Sequence, residues 1–98
     1  MATLLDEIGI QKGLEKIPGW ERAGNEIRKT FPFKNFAQAL AFVNRVGEAA
    51  ESMDHHPDIL IHQYKKVTLT LTTHSAGGLT RMDFDLAQKI EKWHPTDQ

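Results

Sequence analysis

Apolar residues recur along this chain with two different periods, and the alternation between the periods lays out the elements. Leu4, Leu5, Ile8, Leu14 and Ile17 fall near helical spacing, with Thr3 available as a cap, until Pro18 and Gly19 stop the run. This predicts a first helix from about Leu4 to Lys16. Trp20 to Asn25 reads as a short strand and a turn. From Glu26 to Phe33 the period becomes two, with Ile27, Phe31 and Phe33 on one side and Glu26, Arg28 and Thr30 on the other, interrupted at Lys29 and Pro32. The two strands should form an antiparallel hairpin, half buried.

The clearest helical stripe follows. Phe36, Ala39, Leu40, Val43, Val46, Ala50 and Met53 repeat at helical spacing, while Gln38, Asn44, Arg45, Glu48 and Glu51 take the other side, which predicts an amphipathic helix over Phe36 to Met53. Gly47 within it should let another backbone come close. Ile59 to Tyr64 and Val67 to Thr73 then read as two strands around Lys65-Lys66. In the second, Val67, Leu69 and Leu71 share one face, and Thr68, Thr70, Thr72 and His74 share the other. Ser75 to Gly78 is a turn. Thr80 and Asp83 form a capping box at the start of a last helix, with Phe84, Leu86, Ala87, Ile90 and Trp93 on its apolar side and His94-Pro95 ending it. The order α-β-β-α-β-β-α predicts an α+β fold, a two-layer sandwich of a four-stranded antiparallel sheet with three helices on one face.

Composition narrows the function classes. At 98 residues the chain should be one domain over residues 1–98. It has no Cys, so thiolate metal sites, disulfides and Cys nucleophiles are excluded. Twelve Lys and Arg balance thirteen Asp and Glu, which argues against direct nucleic-acid binding by phosphate neutralisation. Asp6 and Glu7 interrupt any secretory signal at the start, and no apolar run approaches membrane-spanning length, so a cytoplasmic protein without membrane contact is expected.

Five His are the unusual count, two of them adjacent in His55-His56-Pro57, with His74 at the end of the last strand. Pro57 biases His56 to an extended backbone and so helps hold the pair in one presentation. Three readings are open from the residues alone: solvent-exposed loop histidines, a metal site needing a third ligand from His74, His62 or a carboxylate, and general acid/base chemistry. His62 and His94 read as surface residues. Asp83 is accounted for by the capping box, and Glu51 reads as a solvated charge.

Glu51-x-x-x-His55-His56-Pro57, followed by Tyr64, His74 and Asp83 at intervals of six, nine and eight residues, resembles the signature of the pterin-4a-carbinolamine dehydratase family. Pro18-Gly19-Trp20, Phe31-x-Phe33-x-x-Phe36 and Gly78-Leu79-Thr80-x-x-Asp83-x-x-Leu86-Ala87 are similar to the family pattern as well. The resemblance implies the sandwich fold derived above and the dehydration of 4a-hydroxytetrahydropterin to quinonoid dihydropterin, without metal or redox cofactor. It implies His55, His56 and His74 as the catalytic histidines, with His55 and His74 acting on the departing hydroxyl and His56 orienting the ring. Substrate contacts would come from His56, Trp20, Thr72 and Asp83, with Trp20 lying over the ring, and Glu51 and Tyr64 serving as scaffold. It also implies a homodimer or homotetramer, and a functional link to an aromatic amino-acid hydroxylase. The alternative is a dimerisation module of transcriptional-coactivator type with little catalysis.

Overall fold

A computed structural model describes residues 3–93. Along them run α1 (Glu7–Glu15), β1 (Glu21–Ala23), β2 (Glu26–Pro32), α2 (Phe36–Met53), β3 (Asp58–His62), β4 (Lys66–Leu71) and α3 (Arg81–Glu91), with a 3-10 turn at His74–Ala76. The strands form one antiparallel sheet in the spatial order β1-β2-β4-β3. This is the expected α+β order; the stop at His94-Pro95 lies outside the described residues. Among the described residues no helix is long and apolar enough to cross a membrane.

Side-chain alternation decides which face of the sheet is covered. Ile27 pairs with Leu71 and Phe31 with Val67, and these four with Leu69 are fully buried against Ile10, Phe42, Val46, Phe84 and Ile90 from the helices. Each such side chain contributes about 1.5–3 kcal/mol by leaving water. Phe42 supplies the centre of this layer, its ring centroid 4.9 Å from those of Phe31 and Phe33. The opposite face stays open and carries threonines; the hydroxyls of Thr30 and Thr68 meet there at 2.8 Å.

Lys29 interrupts the alternation of β2 without leaving it. It pairs with Leu69, so its side chain lies on the helix-covered face, where Nζ reaches Glu91 Oε2 at 2.7 Å and the Pro18 carbonyl at 3.3 Å. The same Glu91 oxygen accepts the Trp20 indole N–H at 2.9 Å. A cation on the buried side is thus matched by a carboxylate from the end of α3.

Several boundaries differ from the sequence reading for local reasons. α1 begins at Glu7 because the Asp6 carboxylate, not Thr3, caps the Gly9 N–H at 2.8 Å. Leu4 and Leu5 are extended before it: Leu5 N–H donates to the Leu79 carbonyl and Leu4 bridges to Thr80. The core-facing residues are therefore Ile10, Leu14 and Ile17, while Ile8 is 67% exposed. β3 ends at His62 because Gln63 and Tyr64 take positive φ (50° and 54°) and make the turn. β4 ends at Leu71 because Thr73 exchanges backbone hydrogen bonds with Gly78. At the surface, Arg22 bonds Glu7 and holds its carboxyl below the usual carboxylate range.

α2 has the expected bounds, but its buried side is turned toward Ala39, Phe42, Val46 and Ala49, leaving Phe36 and Leu40 at 48% and 38% exposure. Gly47 meets no backbone: a Cβ built there has nothing within 4 Å. The close approach is at Gly13, where a Cβ would stand 2.7 Å from the Phe84 ring. Gly13→Ala is therefore expected to destabilise by about 1–3 kcal/mol through overpacking, and Gly47→Ala to stabilise by up to ~1 kcal/mol through helix propensity. Urea unfolding midpoints of the two variants check the opposite signs.

Candidate active site

The way α2 ends fixes where the adjacent histidines go. Asp54 takes a left-handed conformation (φ 50°, ψ 44°), its N–H donates to the Glu51 carbonyl at 3.2 Å, and the His55 N–H donates to the Ala50 carbonyl at 3.0 Å. This is a Schellman ending, and aspartate is among the few non-glycine residues that enter that conformation readily. Pro57 then keeps His56 extended, and β3 begins one residue later.

His55 turns inward. It is 7% exposed, and its Nε2 lies 2.6 Å from Oδ1 of Asp83, a fully buried residue in the first turn of α3. The other carboxylate oxygen, Oδ2, accepts the Thr80 N–H and the Thr73 hydroxyl, both at 2.9 Å. A carboxylate only accepts, so the Thr73 proton is committed to Asp83. Thr73 Oγ1 then accepts the Thr80 hydroxyl at 2.8 Å, and Thr80 Oγ1 accepts the Met82 N–H at 3.2 Å. Every proton in this buried chain points toward Asp83.

The same logic sets the state of His55. With Nε2–H donating to the carboxylate, neutral His55 carries its lone pair on Nδ1. Among the described residues Nδ1 makes no hydrogen bond and no fully buried side-chain nitrogen or oxygen lacks a partner, so Nδ1 keeps some solvent contact. An imidazole held by a carboxylate at one nitrogen and free at the other is a proton acceptor in a fixed orientation.

His56 turns outward and its Nε2 hydrogen-bonds Glu51 Oε2, one turn back on α2. Both groups are largely exposed, so this contact orients the ring more than it stabilises the fold. His74 opens the 3-10 turn, exposed, next in sequence to Thr73. It lines a cleft of about 240 Å³ together with Thr72, Asn25, Glu26, Gly77 and Gly78. The Thr72 hydroxyl donates to the Asn25 carbonyl at 2.6 Å and holds the β1–β2 turn against this loop.

The structure thus joins His55, Asp83 and Thr73 directly, places His74 one residue beyond Thr73, and puts Thr72 in the cleft with His74. Asp83 and Trp20 are both buried. Asp83 is 0% exposed and hydrogen-bonds both His55 and Thr73. Trp20 is buried at 7%, edge-on to Phe31 and bonded to Glu91, eight residues beyond Asp83 on α3 and so about 12 Å along the helix at 1.5 Å per residue. His62 bonds Thr68 on the open sheet face, and Tyr64 sits in the β3–β4 turn. Among the described residues no three His, Asp or Glu side chains gather as a metal-binding group. Thr73 and Glu26 were not singled out from the sequence; the inward parity of Thr73 among outward threonines was the available signal.

Among the described residues, four antiparallel strands covered on one face by three helices, with paired histidines at the α2–β3 junction, define a small α+β domain with a histidine site at one helix end. The sequence profile of the pterin 4 alpha carbinolamine dehydratase family matches residues 3–93, and the chain belongs to that family. It is 55% identical over 92 residues to a Picosynechococcus sp. protein that carries the provisional name pterin-4-alpha-carbinolamine dehydratase, covering 94% of this chain and 99% of that one. A Sulfolobus acidocaldarius protein of the same provisional name is 48% identical over 88 residues, 90% of this chain and 96% of the other. Among solved structures, the transcriptional coactivator/pterin dehydratase from Brucella melitensis superposes with a TM-score of 0.87 at 33% identity, covering 92% of this chain and 97% of that one. A pterin dehydratase-like RuBisCO assembly factor of the alpha-carboxysome shares the fold, with a TM-score of 0.66 at 22% identity over 82% of this chain and 94% of the other.

Proposed function

We propose that this chain is a hydro-lyase that converts 4a-hydroxytetrahydropterin to quinonoid dihydropterin with imidazoles as the proton-transfer groups. The observation that carries the reading is the His55–Asp83 pair, 2.6 Å apart, with its free Nδ1 in some contact with solvent. The reaction breaks the C4a–O bond, with the hydroxyl leaving as water after taking one proton, while N5 gives up a proton and its electrons form the new double bond. One proton is delivered and one is removed, so no net proton is taken from the protein. His55 Nδ1 suits the accepting step because Asp83 fixes its tautomer and supports the imidazolium that forms. His74 suits the donating step, being exposed and beside the cleft. His56, aligned by Glu51, orients the ring.

The test is the loss of freshly generated 4a-carbinolamine, followed as quinonoid dihydropterin appears. We expect catalysis well above the spontaneous rate and no response to a chelator. A chelator-sensitive rate, with bound metal in proportion to chain, would replace the imidazole mechanism. The substrate is the species left when a pterin-dependent aromatic amino-acid hydroxylase has used oxygen, which makes such a hydroxylase the natural source. Self-association belongs to the same reading. β3 is an edge strand with Leu60 57% exposed, and α2 leaves Phe36 uncovered, surfaces that a homodimer or homotetramer would bury.

A further inference from the structure

Glu26 begins β2 on its polar side. The pairing of Ile27 with Leu71 and Arg28 with Thr70, continued by one step, sets Glu26 opposite Thr72, and both residues line the cleft that holds His74. Asp83 and Glu51 each hold a histidine, but the Glu26 carboxylate makes no hydrogen bond or ion pair among the described residues. The residue as a whole is only partly buried, so the carboxylate stays available to a donor that a ligand brings. The space in front of it is built: Thr72 ties the Asn25 carbonyl down on one side, and Gly77 and Gly78 place no side chain on the other.

We propose that Glu26 is a specificity residue that reads the donor edge of the pterin, an inference that rests on the dehydratase reading above. A pterin presents N3–H and the 2-amino group side by side in the ring plane. A carboxylate is acceptor-only and offers two oxygens at matching separation, so both donors are met by one group. An analogue with oxygen in place of the 2-amino group would set acceptor against acceptor and be rejected. The chemistry stays with the histidines, and Glu26 fixes which bicyclic ring enters and which way round.

The experiment compares the full chain with Glu26→Gln and Glu26→Asp, measuring kcat and KM for the carbinolamine and Kd for 7,8-dihydropterin and its 2-oxo analogue. We expect Glu26→Gln to raise KM and Kd by roughly 10- to 100-fold, the loss typical of hydrogen bonds to a charged partner, with a much smaller change in kcat. Its preference for dihydropterin over the 2-oxo analogue should shrink by the same factor, with partial recovery in Glu26→Asp, while melting temperature stays unchanged. A Glu26→Gln variant that keeps wild-type KM and discrimination overturns this inference and leaves the dehydratase reading standing. A wild-type chain that neither binds dihydropterin nor dehydrates the carbinolamine overturns both.

Discussion

Replacing His55 and His74 together by Ala should lower the catalysed dehydration rate by about 100- to 10,000-fold, the range typical of removing general acid/base help. The two replacements are not expected to multiply, because donor and acceptor act in one proton exchange and losing either stalls it. Each single variant should therefore fall close to the double. His74 is exposed and makes no side-chain hydrogen bond among the described residues, so His74→Ala should unfold like the wild type and isolate the chemical loss. His62→Ala is the comparison, since His62 bonds only Thr68 on the open sheet face; its rate should stay near wild type. Stopped-flow measurement of carbinolamine loss compares the four variants with wild type. A double variant within about threefold of wild type would sink the imidazole mechanism.

Asp83 carries the second large effect, and two replacements separate its roles. Asp83→Ala would leave the His55 N–H, the Thr73 hydroxyl and the Thr80 N–H without their acceptor in a buried site, which should cost about 3–5 kcal/mol. A domain of this size is stable by only about 5–15 kcal/mol, so this variant is expected to lose a large share of its stability. Asp83→Asn keeps the shape. Its amide nitrogen should take the Oδ1 position, because the Oδ2 position faces two donors and the Oδ1 position only one. The NH2 then donates to His55 Nε2, the ring proton moves to Nδ1, and the accepting lone pair is lost from that nitrogen. We expect a stability loss of about 1–2 kcal/mol in urea and a rate loss of 100-fold or more, with the tautomer change visible in the nitrogen NMR shifts of His55. Full activity with the tautomer reversed would remove His55 from the acceptor role.

Where a residue's role follows from local spacing, it is legible in the sequence. The bounds of α2, the Thr80–Asp83 capping box and the alternation of β4 follow from side-chain period and cap chemistry, which need no distant partner. Lys29 was legible only as an interruption, since its partner Glu91 comes from the far end of the chain. Ile8 had helical spacing with its neighbours, yet the sheet lies on the side of Ile10, and only packing chooses between such faces. The histidine trio was marked by motif, but the sequence could not say that one carboxylate would serve both as helix cap and as partner of His55. Trp20 is another such case: its edge-on packing against Phe31 and its bond to Glu91 join segments far apart in the chain, which spacing does not show.

That shared carboxylate has a consequence for how the protein fails. Because Asp83 closes the first turn of α3 and also aims His55, the helix cannot fray at its start without releasing the imidazole. Loss of activity on warming should then begin before global melting, as an early and reversible misalignment. The cap of one helix works as the latch of the site, so selection for a faster enzyme and selection for a sturdier one act on the same side chain.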